Sequence, residues 1–76
     1  MMIDIPKLLY EICEDENVYQ LDFDLIESGL LDSLALIELL SALEEQGIVI
    51  HPTRIDREFL RTPRSIQQLV DEKIKQ

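Results

Sequence analysis

The chain has 76 residues, 7 Lys and Arg against 16 Asp and Glu, a formal net charge of −9 at pH 7 and a pI near 4.3. That length holds one small core and leaves little room for a catalytic cleft with its supporting residues. The charge excludes phosphate-tracking contact with DNA or RNA and adsorption to an anionic membrane, and it favours a partner with a basic surface.

Hydrophobic residues make up 46% of the chain, with 2 Gly, 3 Pro and no Trp, a composition that leans helical. The single cysteine, Cys13, cannot form an internal disulfide, which suits a reducing compartment. Met1 to Lys7 lacks the basic start and apolar stretch of a signal peptide. The apolar stretch from Leu30 to Leu43 is broken by Asp32, Ser33, Glu38 and Ser41, so no membrane span or direct membrane insertion is expected. A cytoplasmic monomer with one domain over 1–76 is the expectation. The acidity is uneven. Residues 1–50 carry twelve acids and one base, −11, whereas residues 51–76 carry six bases and four acids, +2.

The first predicted helix runs from about Asp4 to Glu16. Ile5, Leu8, Leu9 and Ile12 form one apolar face, Asp4 is a plausible N-cap, and Pro6 fits the first turn. Cys13 lies beside this stripe as a small hydrophobe. A long loop, Asn17 to Asp32, follows. Its apolar residues, Leu21, Phe23, Leu25, Ile26, Leu30 and Leu31, predict that it is pinned on the core. Gly29 gives it one point of backbone freedom.

The second predicted helix spans Ser33 to Gln46, capped by Asp32 or Ser33 and ended by Gly47. Leu36, Leu39, Leu40 and Leu43 are expected to point inward. Leu34 and Ile37 fall off that stripe, so the helix is apolar on more than one face. Ile48-Val49-Ile50 reads as an extended buried connection. A short helix is expected from Pro52-Thr53 to about Phe59. Thr62-Pro63 is a cap followed by Pro at the first helical position, and Ile66, Leu69, Val70 and Ile74 supply the inward stripe of the last helix. The expected fold is all-α: a small four-helix bundle of three main helices and one short one, with a long first loop.

Several chemistries fail on spacing. Asp22 and Asp24 are not followed by the Gly of an EF-hand loop. A Ser33, His51 and acid triad would lack an oxyanion site and a substrate pocket, and His51 beside Pro52 reads as a loop residue. No zinc spacing and no phosphate-binding Gly loop occurs.

What remains is Glu27-Ser28-Gly29-Leu30-Leu31-Asp32-Ser33-Leu34, a serine at a helix start after a Gly and an Asp. Taken alone, Ser33 reads as an ordinary N-cap. The segment resembles the phosphopantetheine attachment motif of acyl and peptidyl carrier proteins, whose core is Asp-Ser-Leu. Length, acidity, helical layout, the long first loop, Glu38, Leu43-Glu44-Glu45 and Thr62-Pro63 are similar as well, so the resemblance covers essentially the whole chain.

The resemblance implies a carrier that is not itself an enzyme. A separate phosphopantetheinyl transferase would attach 4′-phosphopantetheine to Ser33, with Asp32, Gly29 and Leu34 around the attachment point. It also implies that the second helix is the docking surface for basic partners, through Leu34, Ile37, Glu38, Ser41, Glu44 and Glu45. Segment Ile55 to Pro63 is similar to the D-alanyl branch of the family, with Phe59 where that branch commonly has Trp. Segment Ala35 to Glu45 is closer to a general carrier. The D-alanyl branch implies a D-alanine-activating ligase and a membrane-embedded acyltransferase as partners, in the service of teichoic acid D-alanylation. A carrier for fatty-acid, polyketide or peptide synthesis is the alternative within the family. An unmodified acidic helical adaptor is the alternative outside it, though an adaptor has no need of the Asp32-Ser33 pair.

Overall fold

The computed structural model describes residues 3–75. Met1 and Met2, on which the signal-peptide reading partly rests, lie outside the described residues. Three helices carry the fold: α1 over Ile5–Cys13, α2 over Ser33–Glu45 and α3 over Pro63–Ile74. Two short 3-10 turns, Glu16–Tyr19 and Arg57–Leu60, sit in the connections.

Each start follows from local chemistry. Asp4 accepts from the Lys7 N–H and caps α1, with Pro6 in its first turn. The helix ends at Cys13 rather than Glu16, because Glu14 turns left-handed at φ 55° and its N–H closes on the Tyr10 carbonyl. Asp15 then accepts from the Asn17 N–H and opens the first 3-10 turn, which the sequence reading missed. The Tyr10 and Tyr19 rings meet at 5.6 Å across this junction.

The core gathers Ile5 and Leu9 of α1, Leu39 and Leu43 of α2, and Ile66 and Val70 of α3, joined by Val18 and Leu25 from the first connection. Helix α1 packs against both α2 and α3. Ile48 and Ile50 are buried on either side of an exposed Val49, as an extended connection requires. Leu36 and Leu40 are half-buried and pack against this core, as expected, and Ala35 is buried as well. Two expectations need correction. Ile74 is exposed, one residue from the end of the described chain. The short helix from Pro52 is a series of turns, with the 3-10 turn beginning only after Asp56 caps it. The all-helical bundle itself stands: among the described residues it has the three main helices, and the 3-10 turn Arg57–Leu60 takes the place of the short one.

Candidate functional site around Ser33

The start of α2 is built by Asp32. Its Oδ1 accepts from the Ala35 N–H at 2.8 Å, and its carbonyl accepts from the Leu36 N–H at 2.9 Å. Asp32 is therefore the N-cap and Ser33 is the first helical residue. The Ser33 side chain is exposed and makes no hydrogen bond among the described residues. Of the two residues that could cap this helix, Asp32 does so, and the serine does not perform the structural task that serines at helix starts usually perform.

The loop delivers this serine with a tight turn. Asp24 Oδ1 accepts from the N–H groups of Ile26 and Glu27, and Ser28 Oγ donates to the Leu25 carbonyl while accepting from the Leu30 N–H. Gly29 has φ 81°, the left-handed region in which a Cβ is strained, and it is exposed. The Leu31 N–H returns to the Leu25 carbonyl at 2.9 Å and its side chain is buried, which leaves Asp32 and Ser33 on the surface.

An open cleft of about 300 Å³ lies beside the serine. Asp32 and Leu34, its two chain neighbours, line it together with Gly29, Leu30, Ala35, Glu38, Ile12 and Cys13. The Cys13 Sγ–H donates to the Leu30 carbonyl at 3.5 Å. Burial, and then the charges of Asp32, Asp15 and Glu38, hold the Cys13 thiol above its usual pKa. Three acids thus act on one spot of this cleft. The contribution of Ile12 and Cys13 to the cleft was not legible in the sequence, because it depends on how α1 crosses α2.

The remaining expected residues fall along one exposed face of α2. Leu34 is 66% exposed and Ile37 60%, so neither buries against the first loop. Glu38, Ser41, Glu44 and Glu45 are exposed too. Their spacing of three and four places them in a row that starts at Ser33. Two bare aliphatic side chains of this exposure, bordered by carboxylates, form a surface that nothing within the described chain covers.

A phosphate ester would fit on Ser33. An exposed, unbonded hydroxyl at the first helical position faces the positive end of the α2 dipole, and the Ser33 and Leu34 N–H groups take no partner among the described residues. That field favours an anion at an exposed site by about 0.3–1 kcal/mol.

A family model described as "Phosphopantetheine attachment site" matches residues 7–70. The D-alanyl carrier protein of Abiotrophia defectiva is 42% identical over 72 residues, covering 92% of this chain and 91% of its own length. The D-alanyl carrier protein of Enterococcus faecalis is 47% identical over 58 residues, covering 75% and 74%. That of Bacillus subtilis is 35% identical over 71 residues, 91% of each chain.

Proposed function

The chain belongs to the phosphopantetheine-attachment family of carrier proteins, and from that premise we propose that Ser33 bears the arm and that the cargo is D-alanine. The protein is a carrier and not an enzyme, and carriers of this family work with partner enzymes. An unmodified adaptor is set aside with that membership. The observation that carries the Ser33 reading is the division of labour at the start of α2: Asp32 takes the cap and the serine hydroxyl stays free.

Attached at Ser33 through a phosphodiester, 4′-phosphopantetheine supplies a terminal thiol on which an acyl group is held as a thioester. This chain supplies the rest. Asp32 fixes the helix start, and Gly29 turns the loop so that the hydroxyl is approachable. Leu34 and Ile37 offer an apolar seat to an incoming enzyme. Glu38, Ser41, Glu44 and Glu45 mark it with negative charge and hydrogen-bonding capacity, so partners with basic surfaces are steered to it. Tethering then keeps the cargo at about millimolar local concentration for the docked partner.

The relatives' shared name supports D-alanine as the cargo, together with the likeness of segment Ile55 to Pro63. On that reading the partners are a phosphopantetheinyl transferase, a D-alanine-activating ligase and a membrane-embedded acyltransferase, and the carrier is a cytoplasmic monomer of one domain over 1–76. Among the described residues, no helix is long and apolar enough to cross a membrane.

The test has two stages. Incubation with coenzyme A and a broad-specificity phosphopantetheinyl transferase should add the mass of one arm to the intact protein. The loaded protein should then take D-alanine from an ATP-dependent D-alanine ligase as a hydroxylamine-labile thioester. An unchanged mass in the first stage overturns the Ser33 reading. Acceptance of fatty acids alone in the second stage overturns the cargo and leaves the carrier standing.

A further inference from the structure

The stretch from Gln20 to Asp32 contains no helix or strand, yet it must hold Ser33 still. Its middle is gripped from outside by a single residue. The Arg61 Nη1 donates to Asp24 Oδ2 at 2.8 Å, across 37 positions of sequence. The Arg61 carbonyl accepts from the Leu25 N–H at 2.7 Å. The guanidinium is itself held in place, since its Nε and Nη2 donate to the Glu58 carboxylate at 2.8–3.1 Å. Three residues on, inside α3, the pattern repeats more loosely. The Arg64 N–H donates to the Leu21 carbonyl and its Nε donates to Asp22 Oδ1, both at 3.0 Å.

Asp24 is also the residue that shapes the loop. Its second oxygen organises the turn at Ile26 and Glu27, and the Glu27 N–H and then Arg61 hold its carboxyl below the usual carboxylate range. From that turn the hydrogen bonds run on to the serine. Gly29 bonds to Ile26, Leu30 to Ser28, Leu31 to Leu25, and Asp32 to Ala35. The position of Ser33 is thus referred back, bond by bond, to the junction before α3.

We propose that Arg61 is a positioning residue for arm attachment: by gripping Asp24 and Leu25 it fixes the loop that presents Ser33 to the transferase. The inference rests on Ser33 being the attachment site. Each side chain of the Arg61–Asp24 pair is 36% exposed, so the pair contributes little to global stability. Its effect falls on a loop that has few other ties to α3. Removing it widens the range of orientations in which a transferase meets the serine, which weakens productive encounter more than the chemistry that follows.

The test uses the full chain, coenzyme A and a broad-specificity phosphopantetheinyl transferase, with initial rates read by intact mass. Arg61→Gln and Asp24→Asn should each lower kcat/KM about three- to tenfold, through KM rather than kcat. The double variant should be no worse than Arg61→Gln alone, because that variant has already lost the contact to Asp24. Arg61→Lys should recover part of the rate by restoring the charge opposite Asp24. Amide exchange should quicken at Ile26, Glu27 and Leu31 and stay unchanged at Leu39, with the melting temperature close to wild type. Unaltered kcat/KM in Arg61→Gln overturns the inference. So does a rate loss that follows a drop in melting temperature and adds up in the double variant, which marks general destabilisation. Wild type that takes up no arm overturns the Ser33 reading, and this inference with it.

Discussion

At the start of α3, Thr62 Oγ1 accepts from the Ser65 N–H and Ser65 Oγ accepts from the Thr62 N–H, both at 3.1 Å. The Ser65 hydroxyl also lies 2.9 Å from the Phe59 and Thr62 carbonyls, which takes up its one proton. At the start of α2, Asp32 alone closes the cap, and Ser33 stands one position later with its hydroxyl in solvent. Both helices thus begin with a capped turn that includes a serine, and one hydroxyl is bonded while the other is free. A capping-box serine has its hydroxyl committed to the fold. A serine beside an aspartate cap keeps its hydroxyl and still sits in the field of the helix N-terminus.

The largest expected effects come from crossing these two positions. Ser33→Ala should abolish arm attachment, read by intact mass, and leave the melting temperature unchanged. Ser65→Ala should do the reverse: attachment persists, and unfolding in denaturant shows a loss of about 1 kcal/mol. Asp32→Ala belongs to both sides. It should cost about 1 kcal/mol as a lost cap and also slow attachment, because the helix start that holds Ser33 frays. If Ser65→Ala blocked attachment, or Ser33→Ala destabilised the fold, the contrast between the two helix starts would fail.

A smaller effect is expected along the exposed face of α2. Ile37→Ala removes a side chain that is 60% exposed, so stability should change by less than about 0.5 kcal/mol. Loading by the ligase should nonetheless slow several-fold, through KM. Glu38→Lys should slow it too, most at low salt and less as ionic strength rises toward about 0.15 M, where fields between exposed charges are screened. Unchanged loading kinetics for both variants at low salt would show that partners dock elsewhere.

Much of this architecture was legible in the sequence because its signals are local. Asp4 with Pro6, and Thr62 with Pro63, announce their helices within three residues, and the structure starts both helices there. Gly29 and Gly47 mark left-handed turns that few other residues adopt easily. What escaped depends on how elements meet. Ala35 is buried where α2 lines one cleft with Ile12 and Cys13 of α1, and a small side chain carries little hydrophobic weight in a sequence pattern. Four of the five leucines of α2 form the predicted stripe, and two of these, Leu36 and Leu40, are only half-buried against the core. The tie between Arg61 and Asp24 joins residues 37 apart, with no periodicity to reveal it. The free hydroxyl of Ser33 was equally out of reach, since Asp32 and Ser33 compete for one cap and only geometry awards it.

The smallest expected effect concerns the two thiols of the loaded carrier, one on the arm and one at Cys13. Cys13 lies in the cleft beside Ser33, half-buried, with its proton directed at the Leu30 carbonyl. Burial raises its pKa first, and Asp32 raises it next, so at neutral pH it is held as the thiol, which is a poor nucleophile. The arm's thiol, at the end of a flexible chain, faces neither constraint. Iodoacetamide at pH 7.5 should therefore label the arm well before Cys13, and the mass of the unloaded protein should change slowly. Raising the pH through the ordinary thiol range should speed the arm's reaction first and that of Cys13 only at higher pH, because a raised pKa delays formation of the thiolate. Asp32→Asn keeps an acceptor for the Ala35 N–H but removes the charge, so it should shift the Cys13 rate profile modestly toward lower pH. If Cys13 in the unloaded protein reacted as fast as an unstructured thiol, the cleft would not be shielding it. The acids around Ser33 would then act on partners alone and not on the chemistry within their own cleft.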